Sequence, residues 1–89
     1  MTPLLPRGVR LHDDRVRGVS VLLGPERAVI LDAIGQAILN EVNGVRTTED
    51  IVFNLAEKYS APAQEIAADV MVFLADLQSQ RLLDDANAG

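Results

Sequence analysis

The chain opens with apolar residues in short, broken runs and changes near Asp32 to a helical rhythm. Over the first third, Val9-Arg10-Leu11-His12 alternates, Val19 to Leu23 is a second run and Ala28 to Leu31 a third. Asp13 to Gly18 and Gly24-Pro25 are the breaks between them. Runs of this length bounded by turn residues predict three short strands in a small antiparallel sheet. Val21 to Leu23 and Ala28 to Leu31 are apolar at consecutive positions, so both of their faces call for cover. The protein itself, a dimer partner or a bound ligand can supply it, and the pattern leaves the three open.

From Asp32 the spacing predicts three helices. Asp32 can cap the first, with Ile34, Ala37, Ile38 and Val42 on one face and Asn43-Gly44 as the stop. The second starts near Thr47 or Thr48, with Glu49 and Asp50 in its first turn and Ile51, Leu55, Ala56 and Tyr59 as its buried stripe. The third runs from about Pro62 to Gln80, with Pro62 placed to open it. Ile66, Val70, Phe73, Leu74 and Leu77 form its core stripe. Ala68, Met71, Val72 and Ala75 lie outside that stripe and are also apolar, whereas Glu65, Asp69 and Asp76 make a narrow polar side. Leu82-Leu83 is expected to fold back on the core. Prolines at 3 and 6 with Gly8 predict a flexible arm over residues 1–8, and residues 84–89 a flexible tail. The whole reads as one domain, 1–89, of α+β class: a small winged-helix-like fold of three antiparallel strands followed by three helices.

Length and charge sharpen this picture. Eighty-nine residues support only a thin core, so surplus apolar surface is informative. Five of the eight basic residues precede residue 28 and give that part about +2, while the remainder is near −7. Acidic character makes the chain a poor partner for phosphate backbones, and the mild basic bias of the first third suits an acidic peptide. There is no cysteine, so neither disulfides nor thiolate metal sites are expected. No apolar stretch is long enough to span a bilayer, and the prolines near the start do not suit a signal peptide, so a cytoplasmic chain is expected.

Candidate chemistry is sparse. His12 is the sole histidine and reads as a strand residue. Ser20, Ser60 and Ser79 have no base near them in sequence, and acyl transfer would need one. The glycines form no phosphate-cradling loop. The expectation is no enzyme, no metal and no cofactor. Helices two and three joined by a short turn resemble a helix-turn-helix, which raises a nucleic-acid-binding regulator as an alternative. The third helix argues against it, because it carries three acids and no Lys or Arg from Pro62 to Gln80. A structural dimerisation module is a second alternative. The reading favoured by the residues is binding: the Ala28 to Leu31 run as an edge strand that accepts an extended peptide, with the third helix as the other wall of a groove.

Three segments carry a family resemblance: GVRLHDDRVRG, VLLGPERAVILDAIGQAIL and IVFNLAEKYSAPAQEIAADVMVFLADLQSQRLL. In order and spacing they resemble the PqqD family of pyrroloquinoline quinone biosynthesis, from about Pro6 to Leu83. The most specific pieces are Leu22 to Arg27, the Asp32, Gly35, Ile38 pattern, and Ala61-Pro62 followed by Ile66 and Asp69-Val70. Ser20 stands where the family often has an aromatic residue, and Arg81 where it often has glycine. The resemblance implies a non-enzymatic peptide chaperone, related to the recognition elements of ribosomally made, modified peptides (RiPPs). Such chaperones bind the precursor peptide PqqA and deliver it to the radical S-adenosylmethionine enzyme PqqE, which cross-links a Glu and a Tyr of the peptide. It further implies that the peptide adds a strand beside the third strand, against the third helix. The positions this assigns are Val29, Ile30 and Leu31 on the strand and Asp69, Val72, Phe73 and Asp76 on the helix. Met71 and Ala75 are the rival wall, and Asp69 can equally be a plain solvated acid. Monomer and strand-swapped homodimer both remain open.

Overall fold

The helix starts are set by side chains that accept the first free N–H groups. In a computed structural model describing residues 1–87, the Gly35 N–H donates to Asp32 Oδ1 at 2.7 Å and starts α1, Ala33–Glu41. Helix α2, Thr48–Tyr59, begins with a capping box: the Asp50 N–H donates to Thr47 Oγ1 at 3.1 Å and the Thr47 N–H to Asp50 Oδ2 at 2.9 Å. Helix α3, Ala63–Ser79, follows Pro62, which stands at the cap position rather than inside the helix. Helix α1 closes at Val42, just before the Asn43-Gly44 pair expected to stop it.

Before the helices the chain forms β1 (Pro3–Leu4), β2 (Arg10–Asp14), β3 (Val19–Gly24) and β4 (Arg27–Leu31), and after them β5 (Asp84–Asp85). Strands β2, β3 and β4 make an antiparallel meander in that order, so the expected three-stranded sheet followed by three helices is what the chain adopts. Asp13 and Asp14 belong to β2 rather than to the turn. Leu11, Leu22 and Val29 pair across the sheet and face the core, where Leu22 is fully buried. Ile38, Leu39, Ile51, Leu55, Val70, Leu74 and Leu77 meet them from the three helices, and Leu82 and Leu83 fold back onto the same cluster. At roughly 25 cal/mol per Å² this burial is the main stabilising term of so small a fold.

Three expectations are corrected. Residues 1–8 are not a loose arm. Pro3 and Leu4 pair with Asp85 and Asp84 in a two-stranded sheet, and Thr2 and Pro3 are buried. The Thr48 N–H donates to Met1 O and the Gly44 N–H to Pro3 O, so backbone groups that an arm would leave to water are satisfied by the fold. The same pairing makes a strand of the start of the expected tail, whose Ala88 and Gly89 lie outside the described residues. Finally, Ile34 and Tyr59 are not core: both are more than half exposed, because they sit at the rim of α1 and at the last turn of α2.

Candidate functional site

Strand β4 is an edge of the sheet, and among the described residues no hydrogen bond outside the sheet involves the main chain of Ala28, Val29 or Ile30. In an antiparallel pair the bonded positions alternate, so every second residue of an edge strand keeps its N–H and C=O for the open side. Two contacts lay α3 beside this strand. At one end Arg27 Nη1 donates to Gln80 Oε1 at 3.1 Å. Just beyond the other end, the Phe73 ring packs so closely on Gly35 that a methyl group there would lie 2.9 Å from Cε1.

Those contacts decide which side of α3 looks at β4. Asp69, Val72, Phe73, Asp76 and Gln80 recur at three- and four-residue intervals and share one side of the helix. Phe73 and Gln80, which touch the β4–α1 segment, orient that side. Asp69 and Asp76 are exposed, Val72 is 72% exposed, and Phe73 is partly buried against the core. Met71 and Ala75, the rival wall, are exposed on the flank away from these contacts. Gln80 also donates through Nε2 to Asp76 Oδ2 at 2.9 Å, so Arg27, Gln80 and Asp76 form a polar chain across one end of the groove.

On the strand the three assigned residues divide by face. Leu31 is buried and Val29 partly buried on the core side, whereas Ile30 is 67% exposed, pairs with Val21 and points to the opposite face of the sheet. Ile30 therefore offers the groove its backbone and not its side chain.

A feature absent from the sequence reading adjoins this groove. A cavity of about 250 Å³ opens between α1, the end of α2 and the first half of α3. Ile34, Ala37, Leu55, Tyr59 and Ile66 make its walls apolar, and Asp69 stands at its border with the α3 wall. The available signal was the surplus of apolar residues at Ile34 and Tyr59, which helical spacing assigned to the core.

The two departures from the family pattern have local accounts. Ser20 is buried and its hydroxyl donates to Asp13 Oδ1 at 2.8 Å, which satisfies it where an aromatic ring would pack. Arg81 has φ 61°, the left-handed conformation that glycine adopts without strain. Away from the groove, Asp85 is held below the usual carboxylate range by the backbone N–H of Thr2 and then that of Asn87. Among the described residues no group of three His, Asp or Glu gathers into a metal-binding set, and no helix is long and apolar enough to cross a membrane.

An open strand edge beside a helix wall, with an apolar cavity at its end, is the candidate site of this small α+β domain. Comparisons with known proteins identify it further. Residues 20–83 match the family model for coenzyme PQQ synthesis protein D. The PqqA binding protein of Rhizobium meliloti is 49% identical over 90% of this chain and 82% of its own length. The bifunctional coenzyme PQQ synthesis protein C/D of Methylorubrum extorquens is 44% identical over 92% of this chain, which spans 22% of that longer protein. Among solved structures, the PqqD truncation of Methylobacterium extorquens PqqCD superposes with a TM-score of 0.80 at 44% identity, covering 92% of this chain and 87% of that one. It is described as a functional, stand-alone RiPP recognition element. TbiB1, solved with the TbiA(beta) leader peptide, shares the fold with a TM-score of 0.77 at 24% identity, covering 91% of this chain and 94% of that one. The chain belongs to the PqqD family, a family of non-catalytic binding proteins of pyrroloquinoline quinone synthesis.

Proposed function

We propose that this chain is a cytoplasmic peptide chaperone that binds the PqqA precursor peptide and presents it to the radical S-adenosylmethionine enzyme PqqE. The whole chain acts as one peptide-binding domain. The peptide adds as a strand to the open edge of β4, using main-chain hydrogen bonds for affinity. Its side chains alternate in direction, so every second one enters the groove against Val29, Leu31 and Phe73. The cavity walled by Ile34 and Tyr59 takes an apolar side chain just beyond the added strand. Asp69 and Asp76 border the groove on its helix side and favour cationic groups of the peptide there, whereas the basic bias of the first third suits acidic groups nearer the strands. No step of the chemistry falls to this chain, whose role is to order a flexible substrate before the enzyme acts.

The observation that carries the reading is the unpaired β4 edge facing the Asp69–Gln80 side of α3, in a chain whose relatives include the PqqA binding protein of R. meliloti. Titration of isotope-labelled protein with PqqA, followed by NMR, tests it. Shift changes should concentrate at residues 28–32 and 69–76. Binding that leaves both segments undisturbed refutes the site, and no binding with or without PqqE refutes the function.

A further inference from the structure

No helix packs on the second face of the sheet, where Val19, Val21 and Leu23 are half-buried among their neighbours and Ala28 and Ile30 are exposed. Val19, Val21 and Leu23 on β3 and Ala28 and Ile30 on β4 point away from the helices, paired as Val21 with Ile30 and Leu23 with Ala28. Ile30 is 67% exposed, and Ala28 and the flanking Arg10 and His12 of β2 are exposed as well. The charge of the molecule is split along the same line. Residues 1–31 hold five arginines against three acids, and the rest hold three basic residues against ten acids. Arg10 and Asp14 lie on the open face at opposite ends of β2, and Arg15 and Arg17 are in the turn that follows Asp14. Of these, Arg17 is paired at 3.7 Å with Asp14.

We propose that this outer face is the docking surface for the protein that receives the peptide, and that the bound peptide completes it. The partner surface it fits is apolar with an acidic rim. The inference rests on the strand-addition reading. A strand added to β4 becomes the fourth of the sheet, and the side chains that do not enter the groove lie on the outer face beside Ile30. The partner then meets Val21, Ile30 and alternate peptide residues as one continuous patch. The loaded chaperone presents more matching surface than the empty one, so peptide and partner strengthen each other's binding by the same factor.

The test uses PqqE as the probe, with the full chain carrying either Val21→Thr or Arg10→Glu. Threonine keeps the β-branched shape and suits a strand, and Arg10 is exposed on the sheet edge far from β4, so both variants should fold and bind PqqA normally. Affinity for PqqE should rise when PqqA is present and fall about tenfold in each variant, the Arg10→Glu loss shrinking with added salt. Unchanged PqqE affinity with intact PqqA binding overturns the inference and leaves the groove reading standing. Failure of the parent chain to bind PqqA overturns both. A parent dimer that either variant dissociates overturns the inference in favour of self-association.

Discussion

Replacing Gly35 by alanine sets two local effects against each other. Alanine is the better helix former, worth up to about 1 kcal/mol in a helix interior and less at the third residue of α1. Against this, the new methyl would lie 2.9 Å from Phe73 Cε1, 3.2 Å from its Cζ and 3.1 Å from Asp32 Oδ1. The first distance is shorter than packed carbon atoms tolerate, so the ring must move. Overpacking of this kind costs about 1–3 kcal/mol. The crowded carboxylate also loosens the 2.7 Å cap on the Gly35 N–H, part of a contribution of about 1 kcal/mol. The costs win, and we expect Gly35→Ala to destabilise the fold by about 1–2 kcal/mol. For a chain this size that lowers Tm by roughly 4–15 °C. Urea denaturation should show a lower midpoint with an unchanged slope. In a Phe73→Ala background the ring clash is gone and only the crowded Asp32 cap remains, set against alanine's better helix propensity, so the same substitution should cost less by about 1 kcal/mol or more. A Gly35→Ala protein as stable as the parent would refute the argument that Phe73 clamps α1 against the groove.

Other substitutions probe separate elements. Arg81→Gly should stabilise by up to about 1 kcal/mol in thermal melts, because φ 61° strains a side-chain-bearing residue. Thr47→Ala removes one half of the capping box and should cost about 1 kcal/mol, read as a lower urea midpoint. Ile34→Lys should leave Tm nearly unchanged, since Ile34 is 56% exposed, yet weaken PqqA binding several-fold in a calorimetric titration by charging the apolar cavity. The Asp85 carboxyl has a lowered pKa, so its hold on Thr2 is complete above the ordinary carboxylate value of about 4 and is lost as pH falls through the lower folded value. In an acid titration the Ala86 amide, which donates to Thr2 O, should shift in that window, and Asp85→Asn should abolish the step.

Much of the architecture is legible residue by residue. Asp32 and Thr47 mark helix starts because a short polar side chain ahead of an apolar rhythm has few other roles. The strand runs are legible because Gly24-Pro25 and Arg15 to Gly18 interrupt them. Phe73 and Asp69 are legible as one side of α3 from spacing alone. That this side faces β4 is not, since it depends on Arg27 meeting Gln80 and Phe73 meeting Gly35, contacts between residues 38 or more positions apart. The cavity escaped for a related reason: Ile34 and Tyr59 keep helical period with the core but lie at element ends, where packing stops. The first residues were misread because Pro3 and Pro6 carry a local signal for irregular chain, while their order comes from Asp84 and Asp85 some 80 positions away.

Local chemistry, written in consecutive residues, determined the three strands of the main sheet, the three helices and their order, to within a few residues at each end, because capping, turn formation and periodicity act over a few positions. The assembly settled the rest. Whether an apolar run is covered on one face or two depends on what else packs there. Here the helices cover the side of Leu22, Val29 and Leu31, and leave Ile30 to water and Val21 half-covered. An edge becomes a groove only when a distant helix is laid beside it, and that placement is won by burying Val70, Leu74 and Leu77 in a core no short segment contains.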